Sequence, residues 1–480
     1  MDLSTLNPAS LLPELILAGG GLLVLLANAL GGRRADGWLS PLSALAVLAA
    51  LAFCLFPVTR EPGYFGSVQS DPLAYAGRTT VLAALLLLLL GGASYLRQRT
   101  LPRAETLALT LFGATGMLAL ASAGDLITLF LAIEVLSLSL YALAGLLGQR
   151  TESRHAALTY FLTGSFASAF LLFGLTLLYG AAGTLNLAEL GLGIARHGGG
   201  AQWIALGGIV LSLTGFLFKV GAVPFHSWLP DVYTGSPSWV TAFMSTGAKA
   251  AAFAGFGRLL LPLAPQSTAW ASLLGICAAL TMIVGNFSAL GQVNVKRMLA
   301  FSSVAHAGYL LLGLQATGYA GESLEAVLFY LLPYGLLNVP LFLIAARVSR
   351  AGGGRYHIDD YKGLAKRDPV LAGLLAVLLL GLAGIPPLAG FMGKLLVFSA
   401  AVRAGQTGLA VLGILTSVVA VYYYLRLVVF AYFHEPAPAR TERLECDRGL
   451  TLAAGLAALG VLVLGVWPGL WLELTRGIGL

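Results

Sequence analysis

Apolar residues run in stretches of about 20 from end to end of the chain, separated by short breaks rich in charge, glycine or proline. That is the length an α-helix needs to cross a bilayer. Counted this way the sequence predicts fourteen spans, near 9–30, 38–58, 72–95, 104–123, 125–148, 155–180, 202–228, 237–262, 267–290, 296–316, 323–347, 369–403, 408–433 and 449–475. Between the sixth and seventh, "GTLNLAELGLGIARH" suits a short interfacial helix. The longest connection, 348–368, is too short for a soluble domain.

The seventh and twelfth spans are too long for one straight crossing, and both contain proline. The seventh breaks at "GAVPF", around Pro224, and carries Lys219. The twelfth breaks at "AGIPPLAGF", around Pro386 and Pro387, and carries Lys394. Five spans separate them, so they traverse the membrane in opposite directions. Glu134 falls about nine residues into the fifth span, and His306 at a similar distance into the tenth. The expected fold is therefore all-α and polytopic, with about fourteen transmembrane helices, two inverted five-helix repeats and two broken helices. Its units are a three-helix segment (1–103), a first repeat (104–262), a second repeat (267–433), and a linker with a final span (434–480). Proline-interrupted helices at matching places in two inverted halves point to an ion pathway.

Composition agrees. With 58% hydrophobic and only 10% charged residues, a soluble protein of 480 residues could not cover its surface. The net charge of +7 would suit a nucleic-acid partner, but the basic residues lie in short loops. Loops after odd-numbered spans hold 18 Lys and Arg, against three (Arg60, Arg196 and Arg403) after even-numbered spans. Positive charge stays cytoplasmic, so both termini are expected outside. Cys54, Cys277 and Cys446 have no metal-ligand spacing, so no metal, haem or iron–sulfur site is expected. "GLGIARHGGG" lacks the preceding strand and following acid of a dinucleotide site. The N-terminus has no basic region or evident cleavage site, and the first span is expected to be retained.

Six basic residues fall inside spans. Arg78 and Arg258 lie near span ends, where snorkelling to the interface is expected. Arg426 is left open. Lys219, Lys249 and Lys394 lie deeper, and each costs about 2.5–3.5 kcal/mol to insert. Their bland reading is structural, as buried pairs or hydrogen bonds that fix packing. Together with Glu134 and His306 they favour a chemical reading. Burial drives an amine towards neutrality while a nearby carboxylate favours its charge, so a lysine under both influences can exchange protons near neutral pH. A helix break leaves unpaired backbone groups, tolerated at membrane depth only where buried in protein or facing water. His226, within the first break, is a relay or a structural hydrogen-bond partner. His306 has serines one turn back that suit orienting its ring. Asp125 and Asp231 read as cap or turn residues.

At these residues a resemblance becomes specific. "FKVGAVPFHSWLPDVYTGSPSWVTAFMSTGAKAAAF" (218–253), "NVKRMLAFSSVAHAGY" (294–309) and "GIPPLAGFMGKLLVF" (384–398) resemble, in order and spacing, the antiporter-like membrane subunits of respiratory complex I. The similarity covers roughly residues 104–433. Length, the ending one span after the second repeat, and lysine in the twelfth span favour one branch of that family. One sister branch carries glutamate there, and another continues into a long lateral helix. The resemblance implies that Glu134 and Lys219 form the charge pair of a first half-channel. It implies that Lys249 connects towards the centre, His306 relays, and Lys394 gates a second half-channel. It implies proton pumping in a bacterial inner membrane beside sister membrane subunits, with no redox centre on this chain. NADH, FMN, iron–sulfur clusters and quinone would belong to partner subunits. Two other readings stay open: a subunit of a multi-subunit Na⁺/H⁺ antiporter, which shares these motifs, and a purely structural membrane subunit.

Overall fold

The computed structural model describes residues 6–98, 101–319, 323–351, 355–436 and 444–475, and these are helical almost throughout. Twelve helices among them are long and apolar enough to cross a membrane. The chain opens with α1 (Leu12–Gly31), α2 (Asp36–Leu55) and α3 (Pro72–Gln98). The next run is α4 (Arg103–Ser122), α5 (Leu126–Ala144), α6 (Thr151–Ala182), the short α7 (Leu190–His197) and α8 (Gly199–Val220). There follow α9 (Trp228–Gly235), α10 (Ser238–Phe243) and α11 (Lys249–Leu260). The second half comprises α12 (Ser267–Leu290), α13 (Val295–Ala316), α14 (Ser323–Ala351), α15 (Leu364–Arg367), α16 (Pro369–Ala383), α17 (Ala389–Arg403) and α18 (Thr407–Phe433). The chain ends in α19 (Arg448–Val466) and α20 (Gly469–Thr475).

Three spans differ from the expectation. The seventh is longer, with a complete 22-residue helix, α8, before the break and α9 after it. The eighth is not one α-helix: a π-turn, Met244–Ala248, interrupts it immediately before Lys249. Such an insertion re-aims the side chains that follow it, and is common at functional sites. The fourteenth stops at Val466, because Pro468 cannot continue the hydrogen-bond ladder, and restarts as α20.

Lipid is as apolar as leucine, so packing rather than hydrophobicity brings the helices together, and small residues mark the closest approaches. A methyl group at Gly77 of α3 would lie 2.7 Å from Ala121 Cβ and 3.3 Å from Ala254 Cβ, closer than carbon atoms pack. α13 and α14 are enclosed on nearly all sides, whereas α2, α6, α18 and α19 expose most of their apolar surface. The core is thus the middle of the molecule and the periphery is lipid-facing.

The two halves repeat one local device in opposite orientations. Asp125 caps α5 by accepting a hydrogen bond from Thr128 N at 2.7 Å, and pairs in an antiparallel bridge with Asn186, just beyond α6. Asn294 caps α13 by accepting from Arg297 N at 2.9 Å, and pairs likewise with His357, just beyond α14.

Arg78 and Arg258 do not snorkel. Arg78 is 1% exposed and meets Glu14 of α1 at 2.6 Å, and Arg258 grips Asp71 with both terminal nitrogens at 2.9 and 2.6 Å. A carboxylate was available to each, on α1 for Arg78 and just before α3 for Arg258, so burial with a partner replaced the route to water. Removing one member of such a buried pair costs about 3–5 kcal/mol. Asp231 is likewise no cap: it lies in the first turn of α9 and meets Arg297 of α13 at 2.6 Å, tying the broken helix to the other half.

Candidate functional site

The α8 segment ends because Gly221 adopts the left-handed conformation (φ 73°, ψ 41°) that a Cβ would disfavour. Its N–H bonds Phe218 O at 3.0 Å and the Ala222 N–H bonds Leu217 O at 2.9 Å, closing the helix end. Trp228 of α9 reaches back across the gap and donates from Nε1 to Phe218 O at 3.1 Å. Its ring stacks between Tyr160 and Phe218. The gap itself contains the cis bond Val223–Pro224, and Val223 N–H donates to Thr281 Oγ1 of α12 at 3.0 Å.

Lys219 sits at this helix end, buried, and donates to Ser137 Oγ of α5 at 2.6 Å. Its ammonium lies 5.7 and 5.6 Å from the ring centres of Tyr141 and Tyr160, within cation–π range. Glu134 stands one turn before Ser137, half-buried at the edge of the α5–α6 face, and accepts from Ser168 Oγ at 2.5 Å. Glu134 and Lys219, the expected charge pair, form no direct ion pair among the described residues. Ser137, one turn beyond Glu134 on α5, is the lysine's hydroxyl partner. His226 is half-buried in the gap, and its Nδ1 has no hydrogen-bond partner among the described residues.

Lys249 follows the π-turn and is 2% exposed. It donates to Ser303 O at 2.5 Å and Ser303 Oγ at 2.7 Å, and lies 5.5 Å from the Tyr334 ring centre. Tyr334 donates to the same Ser303 hydroxyl at 2.8 Å. His306, one turn further along α13, is held by two phenols: Nδ1 to Tyr330 Oη at 2.6 Å and Nε2 to Tyr424 Oη at 3.1 Å. The serines one turn back do not touch its ring as expected; Ser302 bonds Tyr424, and Ser303 serves Lys249. Serine is too short to reach an imidazole that two long phenols already satisfy. A cavity of about 10 Å³, the size of one water molecule, lies beside His306, Tyr330 and Tyr334.

In the second break Gly384 is left-handed (φ 84°, ψ 44°), ending α16, and Pro386–Pro387 is cis. Lys394 of α17 reaches back across this gap, donating to Ala383 O at 2.8 Å and to Ser417 Oγ of α18 at 2.8 Å. Its ammonium lies 5.6 Å from the Tyr309 ring centre. Tyr309 Oη accepts from Asn286 Nδ2 at 2.9 Å, and Tyr423 Oη donates to Asn286 Oδ1 at 3.2 Å. Hydroxyls, one amide and one imidazole thus lie between Lys249 and Lys394. Arg426, by contrast, donates to Leu290 O at 3.0 Å and to Gln292 O, binding the carboxyl end of α12.

The structure therefore gathers Lys249, His306 and Lys394 in one row and places Lys219 and Glu134 apart, around Ser137. The register differs from the sequence reading in one respect. Counted from the caps Asp125 and Asn294, Glu134 is nine residues along and His306 is twelve. The counterpart of His306 is Ser137 and that of Glu134 is Ser303, the two serines that hold Lys219 and Lys249. Sequence reasoning assigned Ser303 to the His306 ring and passed over Ser137, Tyr309, Tyr330, Tyr334 and Tyr424. Their signal was available as hydroxyls inside otherwise apolar spans, such as "FYLLPYG" and "VYYYL".

Two interrupted, oppositely directed helices and a buried row of amines define the antiporter-like class of membrane subunit. Residues 123–420 match the family described as NADH:quinone oxidoreductase/Mrp antiporter, TM, and the chain belongs to that family. NADH-quinone oxidoreductase subunit N of Trichlorobacter lovleyi (strain ATCC BAA-1151 / DSM 17278 / SZ) is 40% identical over 98% of this chain and 97% of that protein. A chain of respiratory complex I from Thermus thermophilus with bound aureothin superimposes with a TM-score of 0.81 at 36% identity, covering 96% of this chain and 98% of that one. A chain of the Mrp complex from Dietzia sp. DQ12-45-1b shares the fold, with a TM-score of 0.80 at 22% identity over 99% of this chain and 96% of that one.

Proposed function

We propose that this chain is the proton-translocating N subunit of an NADH–quinone oxidoreductase, a multi-pass protein of the bacterial inner membrane with both termini outside. One observation carries the reading. The buried arginines 78 and 258 each hold a carboxylate, whereas Lys219, Lys249 and Lys394, 8%, 2% and 6% exposed, have none within ion-pairing distance among the described residues. Hydroxyls, carbonyls and aromatic faces hold the lysines instead, and an amine can donate to those oxygens with or without its extra proton. Fixed structural charges are built differently in the same protein.

Under this proposal Glu134 and Lys219 serve one half-channel through Ser137. Lys249 and His306 connect it with Lys394, and His226, Pro224, Pro386 and Pro387 shape the two breaks. The division into 1–103, two repeats (104–262 and 267–433) and 434–480 follows the same scheme. Quinone reduction, with NADH, FMN and iron–sulfur clusters, belongs to partner subunits, beside sister antiporter-like subunits. The test replaces all three lysines with alanine in the assembled complex and measures proton movement in inverted vesicles during quinone reduction. Loss of pumping with assembly intact is expected. Unchanged pumping would leave a structural membrane subunit, and sodium flux without any quinone reaction would favour the Na⁺/H⁺ antiporter reading.

A further inference from the structure

A cavity of about 580 Å³, lined by none of the lysine-row residues, lies where the end of α2, the connection after it, the start of α3 and the terminal α20 meet. The volume falls in the range of small-molecule sites. Asp71 lines it but is already committed. Burial alone would raise its carboxyl, and the Arg258 guanidinium overrides that and holds it below the usual carboxylate range. Tyr75 is committed too, donating to Thr59 O at 2.5 Å. Two charges on different walls are not: Arg60 on the connection and Glu473 on α20 form no ion pair among the described residues.

Leu55, Leu470 and Leu474 supply apolar wall between those charges. Phe56 and Val58, which flank the lining residues Leu55 and Pro57, and Trp467, three residues before Leu470, are 79%, 65% and 69% exposed. Exposed aromatic residues at the end of a 20-residue apolar helix mark the boundary between hydrocarbon and water. A ligand suited to this place carries one anionic group, one cationic group and an apolar body. Guanidinium matches phosphate geometry, pairing with two of its oxygens. A carboxylate accepts hydrogen bonds, so it recognises a primary ammonium better than a quaternary one, which has no N–H to give.

We propose that this cavity binds the headgroup of a phospholipid bearing a phosphate and a primary ammonium, as in phosphatidylethanolamine. Arg60 holds the phosphate, Glu473 the ammonium, and the leucine walls the upper acyl chains. The assembled complex is to be reconstituted in nanodiscs with acyl-chain diazirine analogues of phosphatidylethanolamine or phosphatidylcholine, and the labelled peptides mapped after illumination. Labelling of the peptides around Leu55 and Leu470 should favour the ethanolamine lipid by about tenfold, the scale of a charge-assisted hydrogen bond. Glu473→Gln should erase that preference, and Arg60→Ala should lower labelling by both lipids. Pumping should be unchanged in both variants. Equal labelling by the two lipids in the unaltered complex would overturn the proposal in favour of ordinary annular lipid. Displacement by inorganic phosphate would overturn it in favour of a free-anion site.

Discussion

At both interruptions a left-handed glycine ends the first helical segment, and a side chain from the following segment reaches back to a terminal carbonyl. At the first, that side chain is the neutral indole of Trp228, and Lys219 lies on the opposite side of the gap with a serine hydroxyl as its partner. At the second it is Lys394 itself, bonded to Ala383 O. A cation at a helix carboxyl end is stabilised by the helix dipole as well as by the hydrogen bond. Both lysines stand at helix carboxyl ends, so the dipole favours the charged form of each. Only Lys394 holds a terminal carbonyl itself, so losing its proton would weaken that hydrogen bond, whereas at the first gap Trp228 keeps it. Under the proposed function, the first half separates proton exchange from helix termination and the second merges them.

The comparison rests on the two gaps facing opposite ways, and its first test is all-or-none. A reporter fused after Ala195 should be external and one fused after Arg355 cytoplasmic. Either result reversed would remove the inverted relation.

Next in size is the substitution of the lysines. Lys394→Ala should lower pumping on the order of a hundredfold, the low end of what a positioned proton-transfer group contributes. It should also speed amide exchange at residues 383–388, where the gap loses its cap. Lys219→Ala should reduce pumping comparably but leave exchange around 220–227 unchanged. Lys394→Arg can still cap yet does not deprotonate, so exchange should stay slow while pumping remains low. Full pumping by the arginine variant would show that a fixed charge suffices.

A smaller effect is expected from Trp228→Phe, which keeps the stacked ring and removes the N–H. Phe218 O keeps the Gly221 N–H, so the variant loses one of its two hydrogen bonds, worth about 0.5–1.5 kcal/mol. The first gap should then exchange faster, with the second unaffected and pumping only modestly reduced. Equal loosening of both gaps would mean that they do not terminate independently.

The smallest effect concerns Glu134. Because Glu134 and Lys219 form no direct ion pair, their coupling should be modest, about 0.5–1 kcal/mol at the low end for residues sharing one network. Glu134→Asp should retain more pumping than Glu134→Gln. The pair Glu134→Gln/Lys219→Ala should be no worse than the worse single variant. Ser137→Ala should abolish the coupling in a double-mutant cycle, and independent, multiplying losses in the presence of Ser137 would dissolve the pair.

Much of this protein can be read along the chain. Apolar run length located the twelve helices long and apolar enough to cross a membrane, since spanning a bilayer is a one-dimensional requirement. The glycine and proline at each gap are local necessities of ending a helix, so both breaks were legible, as were the lysines, which stand out against apolar neighbours. Partners were a different matter. Whether Arg78 snorkels or meets Glu14, 64 residues away, depends on which helices become neighbours. The π-turn before Lys249 has no proline to announce it, and the two phenols on His306 come from α14 and α18. Even the matching of Glu134 with His306 failed by one turn, because apolar runs do not reveal where the caps begin. The sequence alone determined which groups are costly in lipid and where helices stop, because those costs are local. Only the tertiary structure decided which of those groups are fixed by carboxylates and which are left to hydroxyls, because that depends on contacts between distant segments.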